Sequence, residues 1–324
     1  MTTATATRGK VERGLRPTNL ARDLGGIATL MEACFGPNLD SAGRSAVREM
    51  HSLSRTGPLL WLLGGVFNGP AWSLGFVWIE DGRVAGNIST QRAGNGTRDW
   101  LIANVAVLPE YRHRGIARAL TEAALNLARR QGGAAALLQV DHDNVAAATL
   151  YAGLAFDRLG THTLWTRHGG TTPLPVESPG VEIRPRRESQ WAEEFTLAGM
   201  VRSEGLEWTR PLRADDFRPS FLRSLDRFLT GGNEERWIAE AGGRLLGSLI
   251  IRSNMGDSDL FALLLHPDYH EQLANPLLVR GLRRLGARPW PVRIDHPTDQ
   301  DVETLRALGF TAGRSLIWMR RDLR

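Results

Sequence analysis

The sequence contains little cysteine, almost no lysine and no long apolar run free of helix-breaking residues. Cys34 is its single cysteine, so an intramolecular disulfide is excluded, which fits a reducing compartment. Lys10 is its single lysine, and the other 39 basic residues are arginine. The first residues lack the apolar core of a secretory signal. Residues 57–79 carry no charge but include two prolines and several glycines, which argues against a membrane span. We expect a cytoplasmic protein that makes no membrane contact.

The charge pattern does not favour a dedicated nucleic-acid-binding protein. The formal net charge is +5 at pH 7. Residues 1–170 hold 18 basic and 13 acidic side chains, whereas residues 171–324 hold 22 of each. No basic stripe with interleaved aromatic residues is present in the sequence. The positive excess of the first half suits a small polyphosphate ligand, and nucleic acid is not an expected partner.

Four short motifs occur twice in the same order along the chain, which indicates an internal repeat. The pairs are 14–17 and 182–185, 81–86 and 243–247, 108–111 and 266–269, and 154–156 and 308–310. The sequence therefore predicts two related domains, 1–168 and 181–324. A linker rich in glycine, proline and threonine, 169–180, joins them.

The order of elements in the first repeat predicts an α/β or α+β fold, with a mixed sheet flanked by helices in each copy. The apolar periodicity predicts helices at 20–35, 43–54, 115–130 and 145–153, and strands at 14–16, 72–80, 83–90, 98–108 and 135–140. Two further strands are expected within 156–167.

The segment 105–120 combines a strand, a tight turn and the beginning of a helix around Gly115. The first N–H groups of a helix have no intrahelical partner, and together with the helix dipole they attract anions. Gly115 lets a phosphate approach closely, while Arg112, Arg114 and Arg118 add positive charge. The pattern indicates a phosphate-binding turn. An ordinary strand-to-helix connection with surface arginines is the alternative.

Residues 12–168 resemble the GNAT (Gcn5-related N-acetyltransferase) superfamily, because they contain two of its motifs, at 112–117 and 144–151, in the family's order and spacing. The turn 112–117 matches the family's pyrophosphate loop, Q/R-x-x-G-x-G/A. The segment 144–151 matches the second signature, N-x-x-A-x-x-L-Y. The Gly-Phe that usually follows is Ala155-Phe156 here, a change that affects a helix-to-strand turn.

The resemblance implies a splayed sheet and a donor site for acetyl-CoA beside the third long strand. In the family, the pantetheine arm pairs with the backbone of this strand. The N–H of Val107 is then expected to polarise the acetyl carbonyl, and Asn144 to bond the pantetheine arm or its surroundings. The implied acetyl-CoA site consists of Val105, Ala106, Val107, Arg112, His113, Arg114, Gly115, Ile116, Ala117 and Asn144; no metal ion is implied.

The resemblance also implies that Tyr151 is the general acid that protonates the leaving thiolate. Only three tyrosines are present. Tyr111 and Tyr269 occupy equivalent positions in the two repeats, which indicates a structural role, whereas Tyr151 is not repeated. The alternative for Tyr151 is a helix residue that packs on the sheet.

The sequence leaves the general base open. The third long strand offers only Asp99 and Asn104 as polar acid or amide groups near its centre. A water-relayed base is an equal alternative. Further candidates, none favoured by spacing, are His51, Glu110, Asp141, His142 and Asp143.

The second repeat departs from the motifs at each chemical position. Leu273 and Asn275 replace the glycine and the small residue of the phosphate turn, and Glu271 adds a negative charge there. The residues at the asparagine and tyrosine positions, counted back from Phe310, are Thr298 and Leu305. We expect this copy to keep the fold but not the donor site.

The sequence predicts an N-acetyltransferase that transfers the acetyl group of acetyl-CoA to a primary amine at a single site in the first repeat. The acceptor is a small-molecule or peptide amine that no pattern specifies. The second repeat is expected to wall the acceptor cleft, so that the chain acts as a monomeric internal pseudo-dimer or as a homodimer. Alternatives are a non-catalytic acyl-CoA-binding sensor and an aminoacyl-tRNA-dependent transferase.

Overall fold

A computed structural model describes most of the chain. It covers residues 13–36, 39, 41–55, 75–93, 97–169, 182–201, 212–220, 232–253, 258–286 and 288–324. The first residues of the strand predicted at 72–80 and nearly all of the predicted linker 169–180 lie outside these ranges. None of the helices within them combines the length and apolar character that a membrane crossing requires.

Contacts divide the chain into two compact units whose membership does not follow chain order. Unit 1 comprises Met1–Leu138, Thr149–Asp157 and Arg320–Arg324, and unit 2 comprises Gln139–Ala148 and Arg158–Met319. Each unit therefore includes a segment from the other sequence repeat. The limits 1–168 and 181–324 describe the repeats, and they stay a prediction for the domains.

Unit 1 contains a mixed sheet with strands in the order β1-β2-β3-β4-β5, followed by the last residues of β12. The strands from β1 to β4 pair antiparallel, and β4 pairs parallel with β5. The strands are β1 (Gly14–Pro17), β2 (Gly75–Glu80), β3 (Arg83–Arg92), β4 (Trp100–Val107) and β5 (Ala135–Asp141). The helices are α1 (Leu20–Phe35), α2 (Ser41–Arg55), α3 (Ile116–Arg130) and the second half of α4 (Val145–Ala152). The end of β5 and the first half of α4 belong to the segment Gln139–Ala148 of unit 2. The predicted helices and the mixed sheet are confirmed.

Local residue chemistry explains two of these elements. Asp81 and Gly82 connect β2 to β3, and both have positive φ, 50° and 73°, as a two-residue type I′ hairpin turn requires. On α1, Ile27, Leu30 and Met31 are buried because their helical spacing places them on one face. This face belongs to the same apolar cluster as buried residues of β2 and β4.

The last residues of the chain complete unit 1. Leu323 donates its N–H to Ala134 O at 2.9 Å, and Arg321 donates to Leu154 O at 2.6 Å. The Leu323 side chain is buried and lies against Gly133, where a Cβ added to the glycine would approach Leu323 Cδ1 to 3.1 Å. Unit 1 therefore includes the segment that ends the second repeat.

Unit 2 contains strands in the order β12-β6-β11-β10-β9-β8-β7. The strands are β6 (Asp157–Arg167), β7 (Glu182–Pro185), β8 (Asn233–Ala241), β9 (Arg244–Ser253), β10 (Asp259–Leu265), β11 (Val292–Pro297) and β12 (Thr311–Asp322). The helices are α5 (Trp191–Met200), α6 (Ala214–Phe217), α7 (His270–Leu285) and α8 (Val302–Ala307). The sequence predicts two strands in 156–167, but the structure has a single strand there, β6, which pairs with β11 from His162 to Arg167.

We predict that Leu323→Ala lowers the free energy of unfolding by about 2–4 kcal/mol, since it removes a buried leucine from a packed position. Arg324→Ala is the matched control, because its side chain is exposed. Urea denaturation measures the difference, and amide hydrogen exchange should locate the lost protection in β4 and β5. Equal stability of the two variants would show that the C-terminal segment does not contribute to unit 1.

Candidate active site

A β-bulge interrupts β4 near its end. Asn104 has φ 54°, and the β3–β4 register shifts between Asn87 and Ser89. Two hydrogen bonds hold the bulge: Asn87 Nδ2 donates to Asn104 O at 3.1 Å, and Asn104 Nδ2 donates to Ser89 Oγ at 3.2 Å. A bulge bends its strand and redirects the groups beyond it, so these contacts set the direction of the last residues of β4.

The edge of β4 that faces β5 is open beyond its first two residues. The parallel pairing with β5 includes only Trp100 and Leu101. Near the other end, Leu108 N donates to Ala85 O at 2.9 Å, which makes Gly86 and Val107 a non-hydrogen-bonded pair of the β3–β4 ladder. The N–H of Val107 therefore points away from β3, toward the open edge.

A left-handed turn leads from β4 into α3. After a 3₁₀ turn at Pro109–Tyr111, His113 and Gly115 have φ values of 61° and 78°. Gly115 is the N-cap of α3, and no described side chain caps this helix. A Cβ on Gly115 would meet no atom within 4 Å, so glycine is required here by its backbone conformation rather than by crowding.

The first turn of α3 presents backbone donors without intrahelical partners. The first bond of the helix runs from Ala119 N to Gly115 O at 3.0 Å. The preceding N–H groups, those of Ile116, Ala117 and Arg118, have no carbonyl of the helix to bind. These donors and the dipole of a 15-residue helix make the turn a potential anion site.

Two of the arginines in this turn stabilise it. Arg112 Nε donates to Val107 O at 3.1 Å, and Arg114 donates to Glu110 O at 2.9 Å. The Arg114 guanidinium also lies 5.1 Å from the centre of the Tyr111 ring. Tyr111 is buried, and its hydroxyl donates to the Asp81 carboxylate at 2.8 Å, which is a structural role. These side-chain contacts hold the turn in its conformation.

Tyr151 lies on α4 within unit 1 and is buried at 5% exposure. Its ring packs edge to face against Phe156 at a centroid distance of 5.8 Å. Burial raises the pKa of Tyr151 to about 12. The phenol therefore keeps its proton at neutral pH, as a proton donor must.

Asn144 belongs to unit 2 and caps α4. Its Oδ1 accepts the Ala147 N–H at 3.1 Å, and its backbone carbonyl accepts the Ala148 N–H at 3.0 Å. Capping is a frequent role of asparagine at a helix start and uses this oxygen locally. The predicted contact of Asn144 with the pantetheine arm stays a prediction.

Most candidate bases have an ionic or polar neighbour. Asp99 pairs with Arg320 and Glu110 with Arg83, both within unit 1. The remaining pairs are Asp141 with Arg314, His142 with Asp143, and His51 with Glu32. Asn104 is the candidate that the structure places at the bulge itself.

Sequence reasoning missed two polar residues beside Asn104. Asn87 and Ser89 line a narrow cavity of about 20 Å³ together with Asn104 and apolar side chains of α1 and α2. This volume holds about one water molecule. Asn87 is 2% exposed in the structure. The signal available in the sequence was a single asparagine between the small and apolar residues of β3.

The second repeat lacks the phosphate turn for a simple reason. Helix α7 begins at His270, immediately after the 3₁₀ turn Pro267–Tyr269, whereas α3 begins five residues after Tyr111. A helical turn thus replaces the loop, and Leu273 is buried within it. The expected loss of this site is consistent with the geometry.

The end of the second repeat confirms one predicted equivalence and corrects another. Leu305 O accepts the Phe310 N–H at 2.9 Å, as Tyr151 O accepts that of Phe156 at 3.0 Å. The N-cap of α8 is Asp301 rather than the expected Thr298, because α8 begins eight residues before Phe310, whereas α4 begins eleven residues before Phe156.

Comparisons of the sequence identify a family for the first repeat. Residues 46–156 match the Acetyltransferase (GNAT) family. The N-alpha-acetyltransferase 30 of Schizosaccharomyces pombe is 34% identical over 86 residues, which are 26% of this chain and 57% of that protein. The match thus spans little more than half the length of this relative.

Comparisons of structure extend over the whole chain. A tandem GNAT protein from the clavulanic acid biosynthesis pathway has 17% identity and a TM-score of 0.56, with 97% of this chain and 99% of that chain covered. A GCN5-related N-acetyltransferase from Sphaerobacter thermophilus has 14% identity and a TM-score of 0.57, with 96% and 95% covered. At these identities the likeness concerns the fold. Residues 46–156 are therefore an acetyltransferase domain of the GNAT family, in a chain that has the fold of tandem GNAT proteins.

Proposed function

We propose that unit 1 binds acetyl-CoA and transfers its acetyl group to a primary amine. The observation that carries the proposal is the continuity of two backbone surfaces. The open edge of β4 leads directly into the turn that ends at the uncapped N-terminus of α3. An extended arm joined to a pyrophosphate fits this order of groups, because strand pairing and anion binding follow each other along one chain segment.

Each part of this segment has a separate task in binding. The backbone of Val105, Ala106 and Val107 pairs with the amide groups of the pantetheine arm. The N–H groups between His113 and Ala117 bind the pyrophosphate, while Arg112 and Arg114 hold the turn through their bonds to backbone carbonyls. Acetyl-CoA supplies the activated acetyl group as a thioester.

The chain's own residues then act on charges that develop during transfer. The Val107 N–H is directed to the open edge of β4, where it can stabilise negative charge on the acetyl oxygen. Tyr151 is the proposed donor of a proton to the leaving thiolate. Burial raises the pKa of Tyr151, and the same low-dielectric surroundings would raise the pKa of a coenzyme A thiol beside it. Proton transfer from the phenol to the thiolate therefore stays feasible.

The acceptor must lose a proton before or during the attack. The cavity lined by Asn87, Ser89 and Asn104 has room for about one water molecule. We propose that such a water, held by these polar groups, accepts the amine proton and passes it to bulk solvent, and that solvent returns a proton to Tyr151 after the thiolate has been protonated. The acceptor class is a small-molecule or peptide primary amine. An amine panel should include peptide α-amines, since the name of one relative specifies N-alpha-acetylation.

We predict that Gly115→Glu abolishes acetyl-CoA binding, because a carboxylate would lie among the donors that bind the pyrophosphate. Isothermal titration of the wild-type chain should give one site, and the variant should give none. Gly132→Glu is the matched control: Gly132 also has positive φ, 71°, and open space, but follows the opposite end of α3. Equal losses in both variants would contradict the assignment of the turn, as would two equivalent sites in the wild type.

We predict that Tyr151→Phe lowers kcat by roughly 10²–10⁴-fold, the usual contribution of one positioned general acid. Acetyl-CoA affinity should change little, because the hydroxyl acts on charge that forms only during the reaction. Thiol release with an amine panel measures kcat, and calorimetry measures affinity.

Tyr269→Phe provides the control for this substitution, since Tyr269 lies in unit 2 and is partly exposed. Unchanged turnover in Tyr151→Phe would exclude the acid role. Joint loss of binding and thermal stability would instead show that Tyr151 is structural. Tight binding of acetyl-CoA by the wild type without turnover of any amine would favour a sensor over an enzyme.

A further inference from the structure

Three side chains that could ligate a metal converge in unit 2, where the sequence predicts no site. His270 is the first residue of α7, His296 lies in β11, and Asp301 is the N-cap of α8. His296 Nε2 lies 2.8 Å from Asp301 Oδ2, and His270 Nδ1 lies 3.3 Å from Asp301 Oδ1. One ligand atom from each residue lies within 4.8 Å of the other two.

Two of the three side chains in the cluster are buried, and the third is partly exposed. The side chains of His296 and Asp301 are 7% and 5% exposed, and that of His270 is 24% exposed. The two imidazole rings are stacked, with centroids 6.3 Å apart and planes inclined by 25°. Asp301 has φ 52°, a conformation that aspartate adopts more readily than most residues. The exposed side of His270 is therefore the route by which an ion or a water reaches the cluster.

The donor set and its spacing fit a first-row divalent metal. Zn²⁺ binds imidazole nitrogen and carboxylate oxygen at about 2.0–2.2 Å, so ligand atoms in a tetrahedral site are about 3.3 Å apart. The separations of 2.8 Å and 3.3 Å involve the two different carboxylate oxygens of Asp301, and one ligand atom from each of the three residues lies within 4.8 Å of the other two. Side-chain rotations that draw these atoms together would bring them to the tetrahedral spacing. Two imidazoles and one carboxylate are a common set for zinc and other transition metals, and not for Mg²⁺ or Ca²⁺.

The electrostatic surroundings include one unfavourable contribution. The N-terminus of α7 is the positive end of a 16-residue helix and opposes a cation at His270. The Asp301 carboxylate and the acidic Glu271 in the first turn of α7 offset this effect. Without a metal, the alternative is a hydrogen-bonded cluster in which both imidazoles donate N–H groups to the one carboxylate of Asp301.

We propose that His270, His296 and Asp301 bind one Zn²⁺ ion, or a metal of similar preference, with the fourth position open to water. The site joins the beginning of α7, the strand β11 and the beginning of α8. It uses the helix start that replaces the phosphate turn in the second repeat. The inference is independent of the proposed acetyltransferase activity.

The test uses the full chain after removal of metal with a chelator. Titration with Zn²⁺ should give one saturable site per chain, and the bound ion should raise the melting temperature. His270→Ala should weaken Zn²⁺ binding by more than about 100-fold. Loss of a residue that only hydrogen-bonds to a metal ligand already lowers metal affinity by about 10–100-fold, and His270 would be a ligand itself. Co²⁺ should produce the visible absorption of a tetrahedral N/O site in the wild type but not in His270→Ala.

Two further variants keep the result interpretable. His168→Ala removes an exposed histidine of the same unit and should leave Zn²⁺ binding unchanged. Asp301→Asn keeps a good N-cap residue but removes the carboxylate charge, so it should fold and lose most of the affinity. The absence of a saturable Zn²⁺ site in the wild type, or equal affinity in His270→Ala and His168→Ala, would overturn the proposal.

Discussion

The geometry of the candidate active site depends on a backbone edge that is left unpaired. The strand β4 pairs with β5 only at Trp100 and Leu101, and a bulge at Asn104 bends the remainder. A continuous parallel ladder would satisfy the N–H and C=O groups of residues 102–107 within the sheet. Because the ladder stops, the groups on this edge that have no bond within the chain, such as the Val107 N–H, can face a ligand, whereas Asn104 O and Val107 O accept bonds from Asn87 and Arg112. Polar side chains of β3 and β4 hold the bulge in place.

The connection from strand to helix contains a loop in the first repeat and none in the second. In the first, left-handed residues at His113 and Gly115 separate the 3₁₀ turn from the helix and expose backbone donors. In the second, the helix begins at His270 without a loop, and Leu273 joins the core. Without the loop, the second repeat has a buried leucine where the first has the proposed anion-binding turn. His270, the first residue of this helix, is one of the three side chains that meet, together with His296 of β11 and Asp301 before α8.

The two compact units do not have the same boundaries as the two sequence repeats. The β6 strand lies at the end of the first repeat in sequence, yet it pairs with β11 in unit 2. Residues 320–324 end the second repeat, yet Leu323 is bonded and buried in unit 1. Each unit is thus incomplete without residues from the other repeat. A fragment cut at the repeat boundary would lose a strand partner in one unit and a buried leucine in the other.

The sequence by itself determined the elements whose causes are local. The Asp81-Gly82 turn, the apolar face of α1 and the turn around Gly115 follow from backbone preferences and helical spacing within a few residues. The GNAT motifs are of this kind, so the family could be identified from them. Only the tertiary structure decided the partners of Asn104, the grouping of β6 with unit 2 and of residues 320–324 with unit 1, and the meeting of His270, His296 and Asp301. These features depend on contacts between residues far apart in the chain, which no local pattern encodes.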